Sequence, residues 1–368
     1  MNRRSILSLP AAWLTLRAAP RGQSFATQRR RYFDPSTENE VVRLTSPEHA
    51  SLLPSRSGRC VSSRGNYLLY VSDQSGTPQV HRMDLKSGES RVLTEAGQLD
   101  ASSVVLSPDE RFFYFIDGDK VRQSPAGGAR DREVAASRGG FTRGMGLQTE
   151  DGISGYTVEG ERKLVQVRLM GAGAPVVLVE SPEVITRVLP RPRRAMVAYH
   201  RGGEGWFLVT LDRRQSRMKL GPGATGAGQW SPDGRTFLYL TAPVAGEGGY
   251  QLREFEVEAG TDKLLGRTSQ FVEFARNSDA SVFLGASGSK ASPLLLLLLR
   301  IGRREFPLCE HRSMDVRVTP PIFSPNSQRI FFQGERAFAA DGEANKPTIA
   351  MVVVDRLVEK TELENTGG

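Results

Sequence analysis

The chain has 368 residues, including 38 glycines, 21 prolines and two cysteines, a composition that favours an all-β protein with many turns. Its net charge is +8, but seven arginines precede the first acidic residue, Asp34, and without them the remainder is close to neutral, which gives no sign of a nucleic-acid partner. No apolar run reaches the roughly 20 residues that a membrane-spanning helix needs, so no membrane span is expected.

The first residues have the features of an export signal. The segment "MNRR" is followed by an apolar run over residues 6–16 and by small residues at positions 18, 19 and 26. This order is typical of exported proteins, and the paired arginines favour the twin-arginine route, which carries folded proteins. We therefore expect residues 1–26 to be an export signal and the protein to be periplasmic or secreted, or cytoplasmic if the signal is not functional.

A turn motif recurs along the rest of the chain. Its clearest copy is "SPDG" at Ser231 to Gly234, where proline fixes φ, aspartate caps backbone N–H groups and glycine tolerates a positive φ. Alternating apolar residues follow it and predict a strand with one buried face. Similar turns recur every 41 to 48 residues. The seven copies start at Ser62, Ser107, Thr149, Pro190, Ser231, Arg276 and Ser324.

A period of this length with four strands per unit is the signature of a β-propeller. We predict an all-β fold, a single seven-bladed β-propeller over residues 34–358, followed by a disordered tail over residues 359–368. The last unit runs out after its third strand, at residues 348–354, whereas residues 40–45 resemble the fourth strand of another unit. An N-terminal strand should therefore complete the last blade and close the ring.

Several other segments are interpreted as scaffold. The six leucines Leu294 to Leu299 predict a strand buried on both faces. Cys60 and Cys309 belong to no zinc-binding cluster and are interpreted as two separate buried residues. Each repeated turn joins the innermost strand of a blade to the next strand, so its role is structural. A functional site should lie on the opposite face, where the loops into the inner strands meet the loops between second and third strands.

Five segments resemble the oligogalacturonate lyase family, whose members are seven-bladed propellers related to TolB-like repeats. The resemblance covers most of the mature chain. Its segments are "DPSTENEVVRLTSPE" (34–48), "SPDERFFYF" (107–115), "AYHRGGEGWFLV" (198–209), "QWSPDGRTFLYL" (229–240) and "CEHRS" (309–313).

This resemblance implies β-elimination on short oligogalacturonates from pectin, assisted by an ion such as Mn²⁺. A base would remove the proton at C5, and a cation or an arginine would stabilise charge on the uronate carboxylate. In the family, the resemblance implies that a histidine before the "WxPDG" turn acts as this base. The ion is held by histidines that lead into two later blades.

This sequence departs from the family pattern at those positions. Ala227 stands at the position of the base, and "VTPP" at residues 318–321 replaces a His-Pro-His segment. The third ligand position falls near Glu273, whose carboxylate is a candidate metal ligand. Most catalytic and metal positions of the family are therefore lost, and the sequence leaves open whether the protein is an enzyme or binds a cofactor.

Other residues remain as candidates on the expected site face. His200 and His311 lie in family-like segments and are candidates for sugar contact or for acid/base catalysis. A guanidinium group matches a carboxylate, so arginines in nearby loops are candidates for binding an acidic sugar. These arginines are Arg143, Arg187, Arg201 and Arg312.

Three functions remain open from the sequence. In the first, the protein is an exported relative of the lyases that binds, or acts weakly on, acidic oligosaccharides of the pectin type. In the second, it is a TolB-like propeller that binds a protein partner without catalysis. In the third, it is an active lyase with a rearranged site of His200, His311 and Glu273. Arginines at the channel mouth would favour the first function, and an exposed apolar patch would favour the second. A monomer or a small homo-oligomer is expected.

Overall fold

The computed structural model describes residues 20–54, 59–171, 173–243, 249–317, 321–335 and 346–354. Within these residues, 29 β-strands form seven antiparallel sheets that are the blades of a β-propeller. The predicted fold class, all-β with seven blades, is confirmed. Most of the predicted export signal and the whole predicted tail, 359–368, lie outside the described residues.

Three short strands precede the first complete blade: β1 (Ser24–Phe25), β2 (Arg30–Phe33) and β3 (Glu40–Arg43). From its inner to its outer strand, blade 1 contains β4 (Ser51–Leu52), β5 (Tyr67–Ser72), β6 (Gln79–Asp84) and β7 (Ser90–Val92). Blade 2 contains β8 (Val105–Leu106), β9 (Phe112–Asp117), β10 (Lys120–Pro125) and β11 (Arg132–Ala136). Blade 3 contains β12 (Ser154–Glu159), β13 (Lys163–Arg168) and β14 (Val176–Glu180).

The remaining blades follow the same order. Blade 4 contains β15 (Ile185–Pro190), β16 (Met196–Arg201), β17 (Gly205–Thr210) and β18 (Gln215–Arg217). Blade 5 contains β19 (Ala224–Trp230), β20 (Thr236–Thr241), β21 (Tyr250–Glu256) and β22 (Thr261–Thr268). Blade 6 contains β23 (Phe271–Arg276), β24 (Val282–Ser287), β25 (Leu294–Leu299) and β26 (Glu305–Glu310). Blade 7 contains β27 (Ile322–Phe323), β28 (Arg329–Gly334) and β29 (Thr348–Val353).

Blade 7 is completed by the N-terminal part of the chain, as predicted. Strand β3 pairs antiparallel with β29, with Val42 opposite Met351, and β2 adds a fifth strand outside β3. Leu44 extends this pairing, because its N–H donates to the carbonyl of Ile349 at 2.8 Å. At the outer edge of blade 1, β1 pairs with β7. The ring is thus closed by hydrogen bonds between the two ends of the chain.

The hydrophobic core lies between the faces of neighbouring blades. Between blades 4 and 5, the ring of Phe237 packs edge-on against Trp206 and Trp230, with ring centroids 4.8 and 5.1 Å apart. Burying one such side chain stabilises the fold by about 1.5–3 kcal/mol. The six-leucine strand is β25, and its four central leucines are buried on both faces of the sheet, as the sequence predicts.

The repeated turn stabilises the link between the first two strands of each blade. In the "SPDG" copy, the Ser231 hydroxyl accepts from the N–H of Thr236 at 3.0 Å, and the Asp233 carboxylate accepts from the N–H of Arg235 at 3.0 Å. The N–H of Arg235 and the hydroxyl of Ser231, which both donate to the Asp233 carboxylate, hold the pKa of Asp233 below its usual range. The equivalent hydroxyl bonds occur at Ser62, Ser107 and Ser324.

Two of the seven turns start one residue later than predicted. In blade 4 the N–H that closes the turn belongs to Arg191, which donates to Met196, and in blade 6 it belongs to Asn277, which donates to Val282. These turns carry no serine at the first position, so their starting residue could be placed only from the spacing of the repeats. Pro190 and Arg276 are therefore the last residues of inner strands.

Candidate functional site

The inner strands surround a channel that opens on both faces of the ring. The upper face carries the loops that lead into the inner strands, and the lower face carries the repeated turns. At the upper face lies a cavity of about 490 Å³, here called the upper mouth. A smaller cavity of about 240 Å³, the lower mouth, opens on the lower face. Leu189 and Gln229 border both cavities and mark where the channel narrows.

Every blade contributes to the lining of the upper mouth. The apolar part includes Leu52, Met145 and Val188. The polar lining residues are Asp100, Ser102, Gln148, Thr186, Arg187, Gln229, Glu273, Gln333 and Glu335. Convergent amide, hydroxyl and charged groups in a concave site are the usual features of a small-molecule binding site.

Two β-bulges aim charged side chains into this mouth. The register of β15 with its neighbour shifts between Ile185 and Arg187, and that of β23 shifts between Phe271 and Glu273. A bulge inserts one extra residue and re-aims the side chains next to it. Arg187 and Glu273 consequently both line the upper mouth, although they belong to blades 4 and 6.

Arg187 and Glu273 form a two-bonded ion pair across the channel. The Arg187 Nη1 atom lies 3.2 Å from Glu273 Oε1, and Nη2 contacts Oε2. Their side chains are only 13% and 3% exposed. The guanidinium and the carboxylate therefore satisfy each other's hydrogen bonds and charge away from bulk water. Removing one partner would leave a buried unpaired charge and lower the free energy of unfolding by about 3–5 kcal/mol.

Two more carboxylates face the upper mouth, and neither was predicted from the sequence. The Asp100 carboxylate accepts from the N–H groups of Ser102 at 3.0 Å and Gly144 at 3.2 Å. The Glu335 carboxylate accepts from the N–H of Met314 at 2.7 Å. No family-like segment contains either residue. Their only signal is position, because Glu335 directly follows the second strand of its blade and Asp100 lies in a loop leading into an inner strand.

His200 lies behind the wall of the upper mouth. Its Nδ1 atom is 2.6 Å from the Thr186 hydroxyl, and its ring packs edge-on against Trp206. Burial, together with the nearby Arg187 charge, lowers the pKa of His200 to about 4. The imidazole is therefore neutral at neutral pH, and a pKa this low makes it a weak general base.

His311 lies elsewhere, between blades 6 and 7. The residue is 5% exposed. Its Nε2 atom bonds the carbonyl of Ser287 at 3.0 Å, and its Nδ1 atom accepts from the N–H of Ser313 at 3.0 Å. Nε2 therefore carries the proton. The two candidate histidines do not share a cavity, because His311 lines a separate one of about 180 Å³.

The four candidate arginines occupy different environments. Only Arg187 lines the upper mouth; Arg143 is exposed beside Gly144 at its rim. Arg201 packs over Phe207 and bonds Glu204, on the outer half of blade 4. Arg312 lies 5.7 Å from the ring of Tyr32, which belongs to the outermost strand of blade 7.

The described residues do not fit the manganese site that the resemblance implies. The carboxylate of Glu273 is occupied by Arg187, and both ring nitrogens of His311 bond the backbone. Over the described ranges, no group of three histidine, cysteine, aspartate or glutamate side chains is arranged to hold an ion. Ala227, at the position of the family's base, packs in the core between blades 5 and 6. Residues 318–320 lie outside the described residues.

Solved structures of oligogalacturonate lyases are similar to this chain over its whole propeller. One, an oligogalacturonate lyase in complex with manganese, is 18% identical with a TM-score of 0.82, and the match covers 92% of this chain and 99% of that chain. The oligogalacturonate lyase from Vibrio parahaemolyticus is 17% identical with a TM-score of 0.81, covering 92% and 100%. The Cps50 (Swd1) propeller domain from Myceliophteria thermophila is 13% identical with a TM-score of 0.57, covering 81% and 96%.

At these identities the likeness establishes the fold, which is that of the oligogalacturonate lyase propellers. The resemblance found in the sequence is confirmed at this level. No protein-family model matches the sequence, and no curated protein matches it. Among the described residues, no helix has the length and apolar character needed to cross a membrane.

Proposed function

We propose that the protein is a lyase-like propeller that binds a short acidic oligosaccharide of the pectin type in the upper mouth. The observation that carries this proposal is the Arg187 guanidinium, which a bulge aims into a cavity large enough for a disaccharide. A uronate carboxylate has the same shape and charge as the carboxylate of Glu273. It would therefore bind Arg187 in place of Glu273, whose carboxylate would turn towards the water of the cavity, while the amides of Gln148, Gln229 and Gln333 bind sugar hydroxyls.

Binding is favoured over elimination by the groups that line this mouth. None of the lining residues named above is a histidine, and His200, behind Thr186, is a weak base because of its low pKa. When the sugar displaces Glu273 from Arg187, the Glu273 carboxylate is the only base that this binding mode would set free near the sugar. β-Elimination, if the upper mouth supports it, is consequently slow and independent of manganese.

Calorimetric titration with digalacturonate and with its neutral methyl ester tests the proposal. We expect saturable heat with the acid, at least tenfold weaker binding of the ester, and the same result with or without Mn²⁺. Absorbance of the unsaturated product, followed in the same samples, reports turnover. No heat with digalacturonate would contradict the proposal.

Variants assign the binding to the upper mouth. Single removal of Arg187 would leave Glu273 buried and unpaired, so the double variant Arg187→Met/Glu273→Met is preferred because it removes both charges and keeps the packing. We expect it to fold and to lose digalacturonate binding. Arg235→Ala, an exposed residue of the lower face, is the matched control and should bind normally. Unchanged binding by the double variant would place the sugar elsewhere.

A second candidate function is a protein-binding platform. It is favoured by three exposed apolar side chains at the lower end of blade 3: Ile153, Met170 and Val176, which are 56%, 53% and 46% exposed. Exposed apolar groups of this size on a soluble protein often mark interaction sites. The proposed partner is a second copy of the chain, and sedimentation of the purified protein measures this self-association directly. Self-association that Ile153→Ser and Met170→Ser both weaken would support this function, and a concentration-independent monomer would contradict it.

Export is part of the proposal, and the contacts of residues 20–25 restrict where a signal is removed. Arg21 bonds Asp131 and the carbonyl of Ala129, and β1 pairs with blade 1. Cleavage after Ala26 would delete these contacts, so we propose that cleavage occurs before Arg21. The intact mass of the exported protein measures the site, and a mature chain starting after Ala26 would contradict this position.

A further inference from the structure

The lower mouth contains a half-buried cation at a repeat position that is uncharged in the other six blades. Arg276 is the last residue of the inner strand of blade 6 and lines the lower mouth. The equivalent residues of the other blades, immediately before the turn, are Val61, Leu106, Gln148, Pro190, Trp230 and Phe323. Burying a guanidinium among apolar neighbours is unfavourable unless the charge has partners.

The guanidinium of Arg276 is held rigidly by the backbone. Its Nε atom donates to the carbonyl of Trp230 at 2.6 Å, and its Nη1 atom donates to the carbonyl of Asn277 at 3.1 Å. Within the described part of the chain, Nη2 has no hydrogen-bond acceptor among the contacts of Arg276. Carbonyl oxygens satisfy the hydrogen-bonding capacity of a guanidinium but do not neutralise its charge. The group is thus preorganised to receive an anion.

Two further charged groups complete the lining of the lower mouth. Arg59 lies 3.8 Å from Glu150, a separation longer than a hydrogen bond. Burial raises the pKa of Glu150 and lowers the pKa of Arg276. Among the lining residues, two guanidinium groups face one carboxylate, and the carboxylates of Asp233 and Asp279 act on Arg276 from outside the lining. The upper mouth has the opposite excess among its lining residues, with three carboxylates and Arg187, and the acidic sugar proposed there has to bind against this excess through Arg187.

The walls of the lower mouth are rigid and its volume is small. Three prolines line it together with Trp230: Pro190 at the end of an inner strand, and Pro192 and Pro325 in two of the turns. At about 240 Å³ it is half the size of the upper mouth and suits a small organic acid better than an oligosaccharide. Rigid walls reduce the entropy lost on binding.

We propose that the lower mouth is a second, independent binding site for a small dicarboxylate. One carboxylate of the ligand bonds Arg276, and the second bonds Arg59 in place of Glu150. A guanidinium binds a carboxylate with two parallel hydrogen bonds, which a neutral ligand cannot reproduce. The site lies on the face opposite the proposed saccharide site, and the two proposals stand on different residues.

Calorimetric titration with malonate and with succinate, in a buffer without carboxylates and at low ionic strength, tests this site. We expect saturable binding of at least one of the two acids and none of malonamide, the neutral analogue. Arg59→Ala, at an exposed position, should weaken binding about tenfold. Glu150→Gln should strengthen it several-fold, because the competing carboxylate is removed. Absence of heat with both acids would overturn the proposal.

Two controls separate this site from general charge effects and from misfolding. Arg235→Ala removes a cation of the lower face that does not line the cavity, and its binding should equal that of the wild type. Arg276→Lys keeps the charge but loses the planar fork, and we expect it to melt near the wild-type temperature and bind at least tenfold more weakly. Equal binding by wild type, Arg59→Ala and Glu150→Gln would overturn the site. Digalacturonate binding should be unchanged in Arg59→Ala, so failure of either proposal leaves the other testable.

Discussion

Gly234, in the turn of blade 5, is fixed by two independent requirements. Its φ is +70°, in the left-handed region, and a Cβ atom built on it would lie 2.3 Å from the carbonyl oxygen of Pro192 in the neighbouring blade. The first requirement is a property of the turn, whereas the second joins two turns that are adjacent only in the ring. A glycine that looks like ordinary turn chemistry in the sequence is therefore also a contact between blades.

The variant Gly234→Ala separates these two requirements. Gly260 has a similar φ of +67° but nothing within 4 Å of its added Cβ, which makes Gly260→Ala the matched control. We expect Gly260→Ala to lower the free energy of unfolding by about 1–2 kcal/mol, the cost of the left-handed conformation. Gly234→Ala should cost roughly 1–3 kcal/mol more because of the clash. Urea unfolding measures both, and equal losses would contradict a role for the blade contact.

Two residues of the upper mouth could be predicted from the sequence individually, but their pairing could not. Both Arg187 and Glu273 were candidates, but as a sugar contact and a metal ligand. Their ion pair joins residues 86 positions apart and depends on two bulges, which no local pattern marks. The pairing changes the chemistry available to Glu273, because a carboxylate held by a guanidinium is a poorer metal donor. Such pairings arise from ring geometry and are invisible in a single sequence.

Among the elements, β3 is the strand that closes the ring. Val41 and Leu44 are both fully buried, and β3 covers the edge of β29 that would otherwise be open. The sequence predicted this strand because "EVVRLT" repeats the pattern of an outer strand and the last unit lacks one. It did not predict β1 or β2, which are short and carry no alternation; β1 has only two residues.

Deletion of residues 1–45 tests the closure. Loss of Val41 and Leu44 from the core removes about 1.5–3 kcal/mol each, so the free energy of unfolding should fall by at least about 3 kcal/mol, and the exposed edge should promote aggregation. Deletion of residues 1–28 removes only β1 and is the control. Thermal unfolding and light scattering measure both effects. Equal melting temperatures for the two deletions would show that β3 is dispensable.

For the whole molecule, repeat spacing was sufficient to predict seven blades, because the spacing is imposed by four strands and their turns. The location of charge along the channel was not predictable. It depends on which repeat positions face the channel, and in blades 4 and 6 the turn itself starts one residue later than the sequence indicated. The contrast between the charges that line the upper mouth and those that line the lower mouth appears only when the blades are assembled into a ring.

Stability of the whole ring should depend on pH through buried histidines. His81 is fully buried between the rings of Phe25 and Tyr70, and this burial lowers its pKa from 6.5 to about 4. Nearby Asp73 partly opposes the shift, and His49 adds to it. Between these two pKa values the unfolded chain binds more protons than the folded chain. The free energy of unfolding therefore falls as pH falls from about 6.5 towards 4.

The variant His81→Phe should remove this dependence. One pKa unit corresponds to 1.36 kcal/mol, so we expect the loss of stability between about pH 7 and pH 4 to be about 2–3 kcal/mol smaller in the variant. Carboxylates with a lowered pKa, such as Asp84, change the free energy of unfolding mainly below this pH window. Their contribution is the same in both proteins and serves as an internal reference. Urea unfolding at several pH values measures the difference. Parallel curves for both proteins would show that His81 does not titrate on unfolding.

The closure of blade 7 also sets the order of events during synthesis. Strand β3 leaves the ribosome early, but its partner β29 is made roughly 300 residues later, which at 5–20 residues per second is a delay of about 15–60 s. During this interval the nascent chain carries an unpaired strand edge that can join another chain. Six blades can be complete before the seventh has its partner strand. A transport pathway that accepts only folded cargo would thus act after translation has ended, and a ribosome that stops before Thr348 would release a ring that cannot close.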